Sequence, residues 1–343
     1  MQKRRLGKNG REVSCLGYGA MSFTNFYGEA NDDDSLAILA AALDEGVDHL
    51  DTSNVYGMGR SETVIGKFLS KQGKQKDKLF SIASKVGICR NAETGQRFYD
   101  NSESHIRSEL EKTLQRLGVE NIDLYYIHRR QAEIPIEEVT ETMQTLVKEG
   151  KINSFGFSEI APSSLERANR IAHVAAVQSE YSLSVRSPEM GLTQMTKELG
   201  TALVAFSPVG RSLLTDAPHN FKTAQELEFL KINPRFLEPN LSTNIEKVAG
   251  FQKLAADLGL TAAGLAIAWL LHKDAHIIPI PGTRSIQHFK DNCAGARKSL
   301  SANDMAMIEK TLPIGWAHGD RYSSEQWFGV ERYCEESTKC RTP

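Results

Sequence analysis

Apolar runs of strand length alternate with segments of helical periodicity along most of the chain. CLGYGAM predicts a short strand, and NDDDSLAILAAALDEG predicts a helix, because its apolar residues recur at helical spacing after an acidic, capping-like start. VDHLDTS and SETVIGKFLS repeat this order, and KLFSIASKVG precedes the long helix NSESHIRSELEKTLQRLG, which ends at Gly118. The hydrophobic pattern therefore predicts strand, helix, strand, helix.

The alternation continues until roughly eight strand-helix pairs are complete. The later predicted elements are, in chain order, IDLYYIHR, IEEVTETMQTLVKEG, INSFGFSE, PSSLERANRIA, VAAVQSEYS, EMGLTQMTKELG, ALVAFSPVG, TAAGLAIAWLLHK, HIIPIPGT and SIQHFKDNCAGARK. Such pairs in series imply parallel strands joined by right-handed crossovers, so the predicted fold class is α/β, a (β/α)8 barrel. An open doubly wound sheet is the alternative, but its first strand should be followed by G-x-G-x-x-G, and GYGAM lacks the third glycine.

Three segments lie outside this repeat, and we expect all of them to belong to a single barrel domain spanning residues 1–343. Residues 1–14, with KNG between short polar-apolar stretches, predict a hairpin that could plug the barrel floor. Residues 211–244 hold several prolines and predict a long functional loop that interrupts the seventh pair. The tail, 313–343, carries aromatic residues that a purely hydrophilic terminus would not need: Trp316, Tyr322, Trp327 and Phe328.

Composition and charge narrow the class of protein. The chain is 40% hydrophobic and 24% charged, as in ordinary globular proteins, and its 41 basic and 43 acidic residues give a net charge of -2, which disfavours nucleic acid or an anionic membrane as a partner. No apolar run approaches the ~20 residues that span a bilayer, and MQKRRLGKNG is no secretory signal, so we expect a cytoplasmic protein. Its five scattered cysteines predict neither disulfides nor a metal site.

Polar residues finish most of the predicted strands, and barrel enzymes carry their active sites at the carboxyl ends of the strands. These candidates are Asp51 and Tyr56 after the second strand, Lys85 after the third, His128 after the fourth, Ser158 after the fifth, Gln178 and Tyr181 after the sixth, and Ser207 after the seventh. Taken singly, each residue could instead cap a turn or lie half-buried at a strand end. The ordered set favours an active site.

Several motifs, in order along nearly the whole chain, resemble those of the aldo-keto reductases: LDTSNVYG, SKVG, DLYYIHR, QSEYS and PIPGT. The segments QSEYSLSVRSPE and NPRFLEPN are most similar to the bacterial and plant branch of that superfamily. The resemblance implies a catalytic tetrad of Asp51, Tyr56, Lys85 and His128. It also implies reduction of an aldehyde or ketone that depends on NAD(P)H.

These four residue types suit carbonyl reduction on physical grounds as well. Hydride delivery to a carbonyl carbon leaves negative charge on oxygen, which must be stabilised and protonated, and Tyr56 can supply that proton. A nearby Lys85 ammonium would lower the tyrosine pKa from its ordinary value of ~10, and Asp51 would hold that ammonium in place. His128 can donate a second hydrogen bond that orients the carbonyl.

The resemblance also implies a nicotinamide cofactor site. Tyr181 would stack on the nicotinamide ring, while Ser158 and Gln178 would bond its carboxamide. Glu159 follows Ser158 where many relatives have Asn. The segment FSPVGR would place a hydroxyl, backbone amides and a cation near the pyrophosphate, through Ser207, Pro208, Gly210 and Arg211.

PIPGTRSIQHFKDN is the most informative cofactor segment. Gly282, Thr283 and Arg284 lie where a strand gives way to a helix, and free amides with a cation there suit an adenosine 2'-phosphate. His288 stands where NADPH-binding relatives often have arginine, but Arg284 remains, so NADPH is favoured over NADH. Gln287, Asp291 and Asn292 would face the adenine, although each of the last two could equally be an ordinary surface residue of the helix.

The substrate pocket and the exact function are less well defined by the sequence. Met21 and Phe23 follow the first strand and could form one wall, with Trp316 from the tail on the other side, and Arg129 could attract a polar or anionic substrate. We therefore expect a small-molecule carbonyl substrate of unspecified identity. An NADPH-binding sensor subunit with slow turnover and an aldolase using Lys85 as a Schiff base are the alternatives.

Overall fold

The computed structural model describes residues 1–91 and 93–333, and within them it contains twelve strands. In chain order they are β1 (Lys3–Arg5), β2 (Glu12–Ser14), β3 (Tyr18–Gly19), β4 (His49–Asp51), β5 (Ser81–Val86), β6 (Ile88–Arg90), β7 (Arg97–Tyr99), β8 (Leu124–Ile127), β9 (Phe155–Ser158), β10 (Ala176–Glu180), β11 (Ala202–Phe206) and β12 (Ile277–Pro279).

Eight of these strands form one parallel sheet in the order β12-β11-β10-β9-β8-β5-β4-β3. Its two edges meet, because the Gly17 amide donates to Pro279 O at 2.9 Å and the Gly19 amide donates to Pro281 O at 3.1 Å. A Cβ on Gly282 would lie only 2.5 Å from Gly19 O, so this closing seam depends on glycine. The predicted (β/α)8 barrel is confirmed.

Helices connect the barrel strands and pack outside them. They are α1 (Asp32–Asp44), α2 (Arg60–Ser70), α3 (Lys76–Leu79), α4 (Glu103–Leu117), α5 (Ile136–Lys148), α6 (Pro162–Ile171), α7 (Leu192–Leu199), α8 (Phe221–Glu226), α9 (Asn240–Asp257), α10 (Ala262–Lys273), α11 (Ile286–Arg297) and α12 (Ala302–Thr311). Asn31 and Ser102 cap α1 and α4 with their side chains, and Gly118 ends α4 at φ 68°. These boundaries follow the local signals in the sequence.

The apolar residues form a large layer between strands and helices and a smaller cluster inside the barrel. The antiparallel pair β1/β2 contributes Leu6 and Val13 to the interior cluster, alongside Leu124 and Tyr126 of β8. The hairpin therefore closes the amino-terminal end of the barrel. This leaves the carboxyl ends of the strands as the open face.

Two segments carry more structure than the sequence pattern predicts. The strands β6 and β7 pair as a hairpin between β5 and α4. The predicted loop over 211–244 contains α8, the start of α9 and a cluster of apolar residues of its own, which includes Leu213, Leu230 and Phe236. Residues 334–343 of the predicted tail lie outside the described part of the chain.

Across residues 1–91 and 93–333, no single helix is long and apolar enough to cross a membrane; only the bent pair α9 and α10 meets the length and composition requirement together. In the same residues no three His, Cys, Asp or Glu side chains group as metal ligands. Cys15, Cys89 and Cys293 are free thiols, whereas Cys334 and Cys340 lie outside the described residues.

Candidate active site

The structure brings Asp51, Tyr56, Lys85 and His128 together at the carboxyl ends of β4, β5 and β8. The Lys85 ammonium donates to the Asp51 carboxylate, to Thr52 O at 2.8 Å and to Tyr56 Oη at 3.2 Å. Lys85 is 0% exposed and Asp51 2%, so this ion pair is shielded from water. The three side chains form one hydrogen-bonded row that ends at the tyrosine hydroxyl.

The turn after β4 explains the spacing of Asp51 and Tyr56. The Thr52 amide donates to Ala83 O at 2.8 Å, which continues the ladder with β5 for one more residue. The chain then turns back, the Tyr56 amide donates to Ser53 O at 3.1 Å, and Gly57 adopts φ 60°, where glycine is strongly favoured. Five residues therefore carry the tyrosine hydroxyl back over the ammonium.

His128 lies beside this row. Its Nδ1 is 3.2 Å from Ser53 Oγ, and its ring centroid is 5.8 Å from that of Tyr56, with the two rings at 80°. Burial holds the pKa of His128 well below its ordinary value, and the positive charges of Lys85, Arg129 and Arg97 lower it further. The imidazole is therefore neutral near pH 7 and can donate one hydrogen bond through the nitrogen that carries its proton.

Burial and neighbouring charges shift the pKa values of Tyr56 and Lys85 in opposite directions. Burial raises the pKa of Tyr56 by more than the Lys85 ammonium lowers it, so the net shift is upward. Burial lowers the pKa of Lys85, but the charges of Asp51 and Tyr56 outweigh that effect and raise it. Lys85 thus lowers the tyrosine pKa as expected, but the effect of burial is larger. Tyr56 is therefore a neutral phenol at neutral pH.

Three further predicted residues lie around the row and His128. Gln178 Nε2 donates to Asp51 Oδ2 at 2.7 Å, so its amide orients the carboxylate from the side opposite Lys85. Ser158 Oγ accepts a hydrogen bond from Arg129 Nη1 at 3.1 Å, and the same nitrogen donates to His128 O at 2.7 Å. Ser158 and Arg129, predicted for cofactor and substrate respectively, therefore contact each other.

Tyr181 does not have the position that ring stacking requires. It is fully buried, its ring packs edge-on against Trp269 at 5.7 Å, and its hydroxyl donates to Glu189 at 2.6 Å. The prediction that it stacks on a nicotinamide is therefore corrected, because its ring has no exposed face. Phe206, the last residue of β11, is a partly exposed aromatic at the same end of the barrel that the sequence analysis did not consider.

Arg211 is also engaged differently from the prediction. Its guanidinium donates to Glu180 at 3.0 Å and to Tyr27 Oη at 3.1 Å, and it lies 4.4 Å from the ring centroid of Phe229. Its side chain is buried within this set, so it offers no free charge to a pyrophosphate. Ser207, at φ 50°, and the backbone around buried Pro208 and Gly210 remain as the polar part of this loop.

A buried ion-pair network beside the site was not foreseen in the sequence. Glu159 pairs with Arg321 at 2.5 Å, Arg321 lies 3.4 Å from Glu180, and Glu180 pairs with Arg211. Glu159 also accepts from the Glu180 amide at 2.7 Å. Burial raises the pKa of its carboxyl, but the charges of Arg321 and Arg129 and the hydrogen bonds together outweigh burial and lower it. We call these four residues the charge network. Glu159, the residue after Ser158, therefore binds Arg321 of the tail and does not face the site.

The segment after β12 presents a mixture of exposed and buried groups. Arg284 is exposed and donates to the backbone oxygens of Glu29 and, at 2.8 Å, Tyr27, while Thr283 is half-buried and Gly282 and His288 are exposed. Gln287 Nε2 donates to Asp291 at 2.9 Å. Asn292 is buried, and its Oδ1 has no hydrogen-bond partner among the described residues. This segment retains one exposed cation and unused hydrogen-bonding groups at the start of α11.

Two of the predicted substrate residues are core residues. Phe23 is buried and its ring lies 5.3 Å from that of Tyr18. Trp316 is buried and its indole nitrogen donates to Leu183 O at 2.8 Å, so neither side chain can line a pocket. Met21 is half-buried.

Comparison with known proteins identifies the family. The model of the Aldo/keto reductase family matches residues 15–313. The chain is 33% identical over 322 residues to "Aldo-keto reductase yakc [NADP(+)]" of Schizosaccharomyces pombe, covering 93% of this chain and 94% of that one. It is 35% identical over 325 residues to "Probable aldo-keto reductase 1" of Glycine max, covering 94% and 92%.

Solved structures give the same result. The fold is similar to the glycerol dehydrogenase AKR11B4 of Gluconobacter oxydans, with a TM-score of 0.79, 25% identity, and coverage of 90% of this chain and 94% of that one. It is also similar to the aldo-keto reductase AKR11C1 of Bacillus halodurans in its holo form, with a TM-score of 0.76, 25% identity, and coverage of 95% and 99%. With the family match spanning most of its length, the chain belongs to the aldo/keto reductase family of oxidoreductases.

Proposed function

We propose that this protein uses NADPH to reduce an aldehyde or ketone to the alcohol, with Tyr56 as the proton donor. The observation that carries the proposal is the row in which buried Lys85 contacts both the Asp51 carboxylate and Tyr56 Oη, with His128 alongside. A neutral phenol that contacts an ammonium is suited to give up its proton when charge develops on a nearby oxygen. No simpler structural role requires all four groups at one open strand end.

Each residue has a distinct part in this chemistry. Tyr56 gives its proton to the carbonyl oxygen, and the Lys85 ammonium stabilises the phenolate that remains. Asp51, itself oriented by Gln178, keeps the ammonium charged and in place. Neutral His128 donates a hydrogen bond that orients the carbonyl group, and we assign Met21 and Arg129 to the substrate pocket.

The residues present fit a nicotinamide cofactor. Phe206 has an exposed aromatic surface, Ser158 and Gln178 supply polar groups for a carboxamide, and the backbone at Ser207 to Gly210 suits a pyrophosphate. Exposed Arg284 suits a 2'-phosphate, which favours NADPH over NADH. The unpaired Oδ1 of buried Asn292 is an acceptor that suits the adenine of either cofactor. When bound, the cofactor supplies the hydride.

A Schiff-base aldolase is disfavoured by the state of Lys85. Its amine has three hydrogen-bond acceptors around it, and its pKa is raised, so the free base that must attack a carbonyl is scarce. Lys85 therefore acts through the positive charge of its ammonium group, and not as a nucleophile. An NADPH-binding sensor differs from a reductase only in turnover, and turnover is what the following experiment measures.

The test follows the loss of reduced-cofactor absorbance with NADPH and NADH in parallel, against aldehydes and ketones ranging from small to bulky. We expect turnover that strongly favours NADPH, and we expect Arg284→Gln to weaken NADPH binding while leaving NADH binding nearly unchanged. Cofactor binding without turnover of any carbonyl compound would favour the sensor. Absence of binding by either cofactor would overturn the proposal.

A further inference from the structure

Two arginines beside the proposed site have no carboxylate partner within residues 1–91 and 93–333. Arg129, which directly follows His128, donates through Nη1 to His128 O at 2.7 Å and to Ser158 Oγ at 3.1 Å, and both acceptors are neutral. Arg97, on β7, donates to the backbone oxygen of Glu325 at 3.4 Å and lies over the Tyr99 ring. The Nε and Nη2 groups of Arg129 bond to no described residue, so they remain available donors.

Three other arginines around these strand ends are paired with glutamates. Arg130 lies 3.3 Å from Glu331, and the charge network pairs Arg211 and Arg321 with glutamates. Arg129 and Arg97 differ from these three in having no ion pair with any described residue. Both charges act on His128, whose pKa they lower, so both lie close enough to affect a molecule bound at the tetrad.

The surroundings of these arginines suit a substrate that is partly apolar. Tyr99 stacks against Phe328 with their centroids 4.9 Å apart, and Phe328 is 56% exposed. A partly buried guanidinium with free donors binds carboxylate in a planar, two-bond arrangement. Arg129 acts on Glu159 only at a distance, without an ion pair, so its unused donors are free to recognise a ligand.

We propose that the substrate is a carbonyl compound that also carries a carboxylate, and that Arg129, assisted by Arg97, selects it. This inference rests on the proposed carbonyl reduction. Arg129 selects the substrate by binding its carboxylate while the carbonyl group faces Tyr56 and His128. Loss of the contact between Arg129 and the carboxylate should mainly raise KM, because that contact is the same before and during hydride transfer.

The test compares 4-carboxybenzaldehyde with its neutral methyl ester at saturating NADPH and measures kcat/KM for each. Arg129→Met should lower the ratio of acid to ester by roughly 10- to 100-fold, the usual worth of a hydrogen-bonded charge pair. Arg129→Lys should retain part of the preference, and Arg97→Met should lose only a few-fold. Since the ratio is compared between variants, the different intrinsic reactivity of the two aldehydes cancels.

Arg107→Met is the matched control, because Arg107 is an arginine on α4 whose partners Glu149 and Glu103 are exposed, and its ratio should equal that of the wild type. If Arg129→Met does not fold, a wild-type preference that declines with added salt serves instead. An unchanged ratio in Arg129→Met, or a salt-independent one in the wild type, would overturn the carboxylate assignment alone. No turnover of either aldehyde together with none across the wider panel would instead overturn the proposed reduction.

Discussion

Lys85 is a buried cation whose hydrogen bonds join a carboxylate to a phenol. The attraction of Asp51 offsets the cost of removing the ammonium from water, and the same ammonium contacts Tyr56 Oη at 3.2 Å. Burial nevertheless raises the tyrosine pKa, so the resting enzyme holds the proton that the proposed reaction consumes. Burial thus keeps Tyr56 protonated at neutral pH, while Lys85 stabilises the phenolate that forms when the proton is donated.

Replacing Tyr56 with Phe tests that role directly. We expect kcat for carbonyl reduction to fall by roughly 10²- to 10⁴-fold, because general acid catalysis typically contributes that much. The dissociation constant for NADPH, measured by quenching of tryptophan fluorescence, should change little. Tyr125→Phe, on β8 beside the outer core, is the matched control and should keep wild-type turnover. Full turnover in Tyr56→Phe would assign the proton to another donor.

The residue-level predictions differ in outcome for a physical reason. A short motif on one turn fixes the relative positions of its own residues, which is why Asp51 and Tyr56 meet as the motif suggests. Tyr181 and Phe206 are aromatics at or just beyond the ends of neighbouring strands, and only packing decides that one contacts Trp269 while the other is partly exposed. Likewise nothing near Arg211 in sequence indicates that Glu180, 31 positions away, neutralises it.

At the scale of elements, the tail after α12 is fastened across the open face of the barrel. Asn233 donates to Arg321 O at 2.7 Å on one side, and Tyr99 donates to Phe328 O at 2.6 Å on the other. The charge network anchors the middle, where Arg321 meets Glu159. The tail therefore connects the 211–244 segment to the β6/β7 hairpin, and neither connection is visible from local sequence patterns.

Breaking the Glu159 and Arg321 pair should loosen this connection and destabilise the fold. Arg321→Met leaves a buried glutamate without its main partner, for which the expected loss is about 3–5 kcal/mol in the free energy of unfolding. The double variant Glu159→Gln with Arg321→Met should recover part of the loss, because no unpaired charge remains at that position. Urea unfolding of the two single variants and the double variant measures the coupling.

Arg107→Met, which removes the exposed ion pairs of Arg107 on α4 with Glu103 and Glu149, serves as the control and should cost no more than about 1 kcal/mol. Equal losses for Arg321→Met and Arg107→Met would show that the charge network contributes no more than a surface pair.

At the scale of the whole molecule, acid should destabilise the fold through buried histidines. Burial lowers the pKa of His49 and His128 below the ordinary histidine value. In the unfolded chain both titrate near pH ~6.5, so below that pH the unfolded state binds more protons. The free energy of unfolding should therefore fall as pH falls from about 6.5 toward the native pKa values, by up to ~1.4 kcal/mol per pH unit for each histidine.

Urea unfolding between pH 5 and pH 8 measures this dependence. His128→Gln should reduce the slope below pH 6.5 by up to one proton, whereas His318→Gln, at an exposed position, should leave it unchanged. A slope in His128→Gln that equals that of the wild type would mean that His128 is protonated as readily in the fold as in the unfolded chain.

The two ends of the barrel have different roles: the amino-terminal end contributes to stability, and the carboxyl ends of the strands carry the proposed chemistry. The alternation of strands and helices in the sequence was enough to predict this arrangement. Leu6 of the amino-terminal hairpin packs in the barrel interior with Val13, at the end opposite the tetrad.

Leu6→Ala should lower the free energy of unfolding by about 2–5 kcal/mol, because the rigid strands around it cannot close the cavity. The kcat of the folded enzyme should stay at the wild-type value, since the tetrad lies at the opposite end of the barrel. Lys8→Ala, on the exposed turn of the same hairpin, should change neither quantity. If Leu6→Ala lowered kcat under conditions in which it remains fully folded, packing at the barrel floor would have to determine the positions of Lys85 and Tyr56 at the opposite end, and the two ends would not be independent.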